Sequence, residues 1–200
     1  GMALPATLDN DANCAVYGEW WVGAGKGTRF LVGLTIGTGI GGGIVLDGRI
    51  YHGATDMAGE LGHTTIDTSG RRCKCGNYGC LEAYASGPAI AGRAVEAVES
   101  GAPSRLADFA GGDLARVTAQ TVSEAASHGD DLAREVVGDT AKYLGAGIAN
   151  RIVALSDNLG RLAKRDYGFD LPQAADRDEI GTMARAMAEC RDGLKEADRL

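Results

Sequence analysis

Cys73-Lys74-Cys75-Gly76-Asn77-Tyr78-Gly79-Cys80-Leu81-Glu82 is the most informative stretch of this 200-residue chain. Three of the five cysteines crowd into it while Cys14 and Cys190 stand apart, a distribution that suggests a metal and not a disulfide framework. With His63 upstream, Cys73, Cys75 and Cys80 supply one imidazole and three thiolates, a set that matches tetrahedral zinc. Gly70, Gly76 and Gly79 let the loop wrap the ion. Because protein fills all four positions, the expected zinc is structural. The competing reading is a group of reduced surface thiols.

Towards the N-terminus lies Gly37-Thr38-Gly39-Ile40-Gly41-Gly42-Gly43. Without Cβ atoms, its backbone N–H groups can approach anionic oxygens. No Lys-Ser/Thr pair follows it, and a strand follows where a dinucleotide fold requires a helix. What is left, strand, glycine loop, strand, reads equally as a phosphate cradle or as a flexible hairpin loop. Residues 29–35 alternate and are β-branched, residues 43–46 continue the sheet, and Asp47-Gly48 is the two-residue signal for a tight hairpin into Ile50. Before them, Asn10-Asp11 caps a helix running through Trp20-Trp21 to Gly25. Asp11, Glu60 and Glu82 are carboxylates suited to a polyhydroxylated ligand, or to taking a proton from one of its hydroxyls. Taken singly, they read as a helix cap, a solvated loop residue and a first-turn charge.

Towards the C-terminus, Pro88 after Ser86-Gly87 is placed for the first turn of a helix ending near Ser100, and further helices fit 104–110, 118–127 and 130 onward. Nineteen of the 31 glycines fall in residues 1–90, so glycine loops and short strands give way to Ala-rich helices. From 155 to 200 there are 8 basic and 10 acidic residues in 46, against 12 and 17 in the preceding 154. Charge density doubles there, and a change of module near 150 is expected, giving regions 1–150 and 151–200.

Composition narrows the function classes. Hydrophobic residues make up 44% and charged residues 24%, which suits a packed domain. The formal net charge of −7 provides no protein-wide positive field for a phosphate backbone, so nucleic acid is not an expected partner. There is no apolar window of about 18 residues and no signal-peptide plan at the N-terminus. The expectation is a cytoplasmic chain without membrane insertion.

In order and spacing, Leu8-Asp9-Asn10-Asp11-Ala12-Asn13, Gly18-Glu19, residues 36–45, Glu60-Leu61-Gly62-His63 and the cysteine stretch closely resemble the ROK family of sugar kinases and sugar-responsive repressors. The likeness extends through Ser86-Gly87-Pro88 to Leu144-Gly145-Ala146-Gly147-Ile148-Ala149-Asn150. It implies an α/β fold, part of an actin-like, ribonuclease-H-type lobe, and transfer of the ATP γ-phosphate to a hexose hydroxyl. Asp11 would be the general base, and Asn10, Glu60, His63 and Glu82 would hold the other hydroxyls. His63 would put one ring nitrogen on zinc and aim the other at the sugar. Gly37, Thr38, Gly39, Gly41 and Gly42 would match the second phosphate-binding segment, with ATP and magnesium as co-reactants. The family's Asp-x-Gly-Gly-Thr segment and its late adenine-seating glycine pair do not occur in these 200 residues. The implied chain is therefore an inactive or partial kinase, or a non-catalytic sugar-binding regulator. Glucose, mannose, fructose and N-acyl derivatives all suit the same core.

Residues 151–200 resemble a HAMP signalling domain, an all-α helix, connector and helix. The resemblance rests on Leu155-Ser156-Asp157-Asn158-Leu159-Gly160-Arg161-Leu162, a connector through Phe169 and Leu171, and Asp178-Glu179-Ile180-Gly181. Apolar seams at Ile148, Ile152, Leu155, Leu159 and Leu162, and at Ile180, Met183, Met187, Cys190 and Leu194, have coiled-coil spacing. They imply a parallel homodimer and a role in signal relay, with one long helix crossing the junction from Leu144. The competing reading is a helical hairpin packed on the first region.

Overall fold

A computed structural model describes residues 8–53 and 55–163, with backbone alone over 149–163, and the isolated positions 185, 188, 191, 192, 195 and 196. The first helix, α1 (Asp11–Trp21), starts directly after Asn10, whose backbone is extended. The Asn10 side chain accepts the N–H groups of Ala12 at 2.8 Å and Asn13 at 3.3 Å, so Asn10 is the cap and Asp11 the first helical residue. The helix ends at Trp21 and does not reach Gly25. Beyond it the Glu19 carboxylate takes the Ala24 N–H at 2.9 Å, supplying a side-chain acceptor where helix continuation would need a carbonyl.

Strands β1 (Phe30–Ile36), β2 (Ile40–Leu46) and β3 (Arg49–Ile50) form the expected antiparallel meander. Pairing runs from Phe30↔Leu46 to Ile36↔Ile40, then through the Asp47-Gly48 turn to Leu46↔Arg49. Asp47 and Gly48 both have positive φ, 49° and 79°, as a two-residue hairpin with the right twist requires. The glycine run is where expectation and structure differ. Only residues 37–39 form a loop; Gly41 and Gly42 join the expected Gly43 as strand residues of β2. Their composition reflects packing. A Cβ at Gly43 would lie 2.8 Å from Val16, and one at Gly41 would lie 2.7 Å from Ala12, so α1 rests directly on strand backbone.

Helices α2 (Glu82–Ala85), α3 (Gly87–Glu99), α4 (Leu106–Phe109), α5 (Ala119–Ser127) and α6 (Asp131–Ala163) follow. Pro88 sits in the first turn of α3 as expected. Thr118 and Thr121 close a capping box at the start of α5. The main helical core gathers Ala94, Leu106, Val122, Ala125, Ala133 and Val136. A smaller cluster of Ile40, Leu81 and Ala85, flanked by Leu34, Ile66, Tyr143 and Leu144, joins the sheet to α2 and α6. This joint fixes the cysteine loop against the glycine-rich strand.

The long helix expected across position 150 is present, since α6 runs unbroken through it. Leu144, placed at the head of the dimer seam by its spacing, packs instead within its own chain against the Ile40–Leu81 cluster. The connector and second seam of the HAMP-like reading lie outside the described residues, apart from the isolated positions above. Among the described residues, no helix is long and apolar enough to cross a membrane.

Candidate active site and metal centre

Four local structures converge. The N-terminus of α1 presents Asn10 and Asp11, the 37–39 turn presents its backbone, the 3₁₀ turn Leu61–His63 carries Glu60 and His63 at its two ends, and Glu82 opens α2. All of them line one cleft of about 500 Å³. Every residue expected from the sequence to touch sugar or phosphate is there: Asn10, Asp11, Glu60, His63, Glu82, Gly37, Thr38, Gly39, Gly41 and Gly42. Thr35 and Gly59 also line it and were not singled out. Gly59 is a matter of backbone approach, because its Cβ would fall 2.6 Å from the Gly42 carbonyl oxygen. Nothing in the local sequence signals that long-range contact.

Asp11 is exposed at the helix N-terminus, where the macrodipole favours a negative charge. Its Oδ1 accepts the Ala12 N–H at 2.8 Å. Behind it Asp9 accepts the Asn13 amide at 3.1 Å and the Asn10 N–H at 2.7 Å, and lies 3.4 Å from His52 Nε2. The Asn13 hydrogen bond leads in holding the Asp9 carboxyl below its usual range, against a burial effect that raises it. Asp9 thereby anchors the segment that carries Asn10 and Asp11, a role its place in the Asp-Asn-Asp triplet did not reveal.

Glu82 faces two ways. Its Oε2 accepts the Ile40 N–H at 3.0 Å, and its Oε1 lies 3.8 Å from Cys73 Sγ. A side chain at Gly39 would collide with this carboxylate, its Cβ 2.6 Å from Oε2.

The cysteine loop folds back on itself through the Cys73 N–H to Asn77 carbonyl bond at 2.7 Å and the Gly79 N–H to Arg71 carbonyl bond at 2.7 Å. Gly79 is required there, with φ +72° and a Cβ that would sit 1.5 Å from the Asp67 carbonyl oxygen. Tyr84 clamps the base of the loop: its oxygen accepts the Arg71 N–H at 2.9 Å and donates to Asp67 Oδ2 at 3.1 Å. Arg71 forms a two-pronged pair with Glu96 on α3.

This folding brings one donor atom from each of His63, Cys73, Cys75 and Cys80 within 4.8 Å of one another. Cys75 and Cys80 sulfurs are 3.6 Å apart, and Cys73 Sγ is 3.8 Å from His63 Nδ1. Zinc bonds of about 2.0–2.3 Å in a tetrahedron separate ligand atoms by roughly 3.5–3.8 Å, so the donor set fits zinc. With Nδ1 turned to the thiols, His63 Nε2 lies 4.0 Å from Glu60 Oε2, and His63 and Glu60 both line the cleft. Burial pushes the Cys80 and Cys73 thiols up. For Cys75 burial acts the same way but is outweighed by hydrogen bonds, first the Asn77 backbone N–H, and its thiol is pulled down.

Residues 2–158 match the model of the ROK family. A glucokinase of Halalkalibacterium halodurans is 47% identical over 155 residues, 76% of this chain and 46% of that protein. A xylose repressor of Caldicellulosiruptor bescii is 36% identical over 149 residues, 74% of this chain and 37% of that protein. Among solved structures, a ROK family glucokinase from Streptomyces griseus in complex with glucose and AMPPNP superposes with a TM-score of 0.66 at 35% identity, covering 74% of this chain and 48% of that one. The chain spans about half the length of these glucokinases, or less than half.

Proposed function

The chain belongs to the ROK family, and from that membership we propose that it carries the hexose-binding side of an ATP-dependent sugar kinase of the glucokinase type. The observation that supports this reading is the meeting of the Asp11 carboxylate, a ring of hydroxyl-binding groups and a glycine turn in a single cleft, with the thiol set directly behind His63. Asn10, Glu60, His63 and Glu82 hold sugar hydroxyls, and Asp11 takes the proton of the attacking one. As that oxygen bonds to the γ-phosphorus of ATP, the bond from phosphorus to the β–γ bridging oxygen breaks and ADP leaves with the electron pair. Such a reaction asks mainly for positioning and charge stabilisation. The Gly37 N–H is held by the Gly39 carbonyl at 2.9 Å, so Thr38 and Gly39 are the residues of this turn whose N–H groups serve the transferring phosphate. Zinc, when bound, gives His63 Nδ1 a fixed anchor and so sets the direction of Nε2.

Calorimetric titration of the zinc-loaded chain with D-glucose, D-mannose, D-fructose and an N-acylated hexosamine tests the reading. Saturable binding of one hexose is expected, and failure of all four to bind at millimolar concentration would overturn it. For residues 151–200 the proposal stays with the sequence, a parallel homodimer through the helix–connector–helix. Sedimentation at tens of micromolar is expected to give a dimer, and a monomer would remove that assignment.

A further inference from the structure

The three thiols of the cysteine loop are not equivalent. Cys73 and Cys80 are buried, while Cys75 and its neighbours from Lys74 to Tyr78 stand exposed at the loop tip. Cys73 Sγ faces inward, 3.8 Å from both His63 Nδ1 and Glu82 Oε1. Cys75 Sγ lies 3.6 Å from Cys80 Sγ. We propose that Cys75 and Cys80 are a modification site, an oxidisable pair that a hydroperoxide converts to a disulfide.

Disulfide sulfurs stand about 2.05 Å apart, so the pair must close by about 1.5 Å. The loop provides for that movement on one side. Cys80 is fixed, because Thr65 pairs with it in a β-bridge and the adjoining Leu81 N–H donates to the Thr64 carbonyl at 2.8 Å. Cys75 is followed by Gly76, which has φ +98° and open space where a Cβ would stand, so the exposed tip is the part free to swing. An oxidant arriving from solvent meets Cys75 first, and the buried Cys80 sulfur is at hand to resolve the product.

The chemistry balances as a two-electron exchange. The Cys75 sulfur attacks one peroxide oxygen, the O–O bond breaks, and the departing oxygen keeps the electron pair and takes a proton, leaving as an alcohol, or as water from hydrogen peroxide. The Cys80 sulfur then attacks the sulfenic sulfur of Cys75; the S–S bond forms, the S–O bond breaks, and hydroxide leaves as water. Two sulfurs are oxidised by one electron each and the peroxide is reduced by two. Both protons come from the thiols in the metal-free loop, and from solvent where thiolates were bound to zinc.

Oxidation takes two of the four proposed zinc ligands and leaves His63 with Cys73. Two donors do not hold a tetrahedral ion, so zinc leaves and His63 Nδ1 loses its anchor. Hexose affinity in the cleft that His63 lines should fall with it. That last coupling rests on the hexose reading; the disulfide does not.

The zinc-loaded full chain, as wild type and as C14S/C190S to remove the other two thiols, is treated with a slight excess of hydrogen peroxide. Zinc release is followed with a chromophoric chelator, free thiols are labelled with iodoacetamide and located by peptide mass spectrometry, and D-glucose is titrated before and after. One zinc should leave per disulfide, with Cys73 labelled and Cys75 and Cys80 protected. Glucose affinity should drop at least severalfold, and dithiothreitol with added zinc should restore it. Should C14S/C190S fold poorly, the labelling pattern of the wild type carries the test. Zinc retained after Cys14 is oxidised, a disulfide that includes Cys73, or protection of Cys75 without Cys80 would overturn the proposal. The expected disulfide and zinc release in a chain that binds no hexose in either state would leave it standing and sink the hexose reading alone.

Discussion

The Glu82 carboxylate joins strand β2 to the cysteine loop, its Oε2 3.0 Å from the Ile40 N–H and its Oε1 3.8 Å from Cys73 Sγ. One side chain thus sets the distance between the edge of the cleft and the proposed metal centre. Glu82→Gln keeps its size and an acceptor for Ile40 but removes the charge. Hexose affinity should fall by about tenfold or more, the value of a hydrogen bond to a charged group, about 1.5 kcal/mol and upward. Zinc content should not change. Parallel calorimetry and metal analysis check both, and loss of zinc with the affinity would make Glu82 a support of the loop instead of a sugar contact.

One zinc per chain is expected, and Cys75→Ser should release it and weaken hexose binding through His63. The pH dependence follows from the thiols. Burial holds Cys73 and Cys80 above their ordinary range, so both are protonated in the metal-free loop near neutrality. Zinc takes thiolates and expels those protons, and its affinity should therefore fall as pH falls, by about tenfold per unit for each proton displaced. Competition with a chromophoric chelator between pH 6 and 8 reads this slope, and a flat profile would contradict the thiol assignment.

Asp11→Asn tests the proposed base. The amide still accepts the Ala12 N–H and still hydrogen-bonds a sugar, so hexose affinity should change little, while turnover falls by about 10²–10⁴-fold. Sugar-dependent ADP release measures it in a longer form of the protein that carries the family's Asp-x-Gly-Gly-Thr segment. Near-normal turnover would remove Asp11 from that role.

How much of this was legible in the sequence depends on the range of the contacts. The Asp47-Gly48 turn, the Pro88 helix start and the thiol set were readable because each is decided within a few residues. Local patterning could not tell loop from strand at Gly41 and Gly42, since what demands glycine there is distant in sequence: Ala12 of α1 at Gly41, and the Gly59 carbonyl with Leu61 at Gly42. The same blindness hid Gly59, whose neighbour is the Gly42 backbone, and Leu144, whose apolar side chain has seam spacing but packs beside Ile40 and Leu81. Candidate site residues were found by resemblance to a family, and their shared cleft is a fact of the fold.

The joint between α6 and the cysteine loop gives a test of packing. Leu81, 1% exposed, stands between Cys80 and Glu82 and touches α6 where Gly147 has no side chain. Leu81→Ala should cost about 2–5 kcal/mol, because the surrounding cluster collapses only in part. Gly147→Ala sets two effects against each other. Alanine gains about 1 kcal/mol of helix propensity, but its Cβ would lie 2.9 Å from a Leu81 methyl carbon, tight enough to force that side chain to shift. Alone, the substitution should be close to neutral. With Leu81 already cut to alanine the collision is gone and the new methyl partly fills the void, so Gly147→Ala should then stabilise by about 1 kcal/mol or more. Urea unfolding of the four proteins of this cycle gives the coupling energy directly. Additive effects would mean that α6 does not press on Leu81 at Gly147.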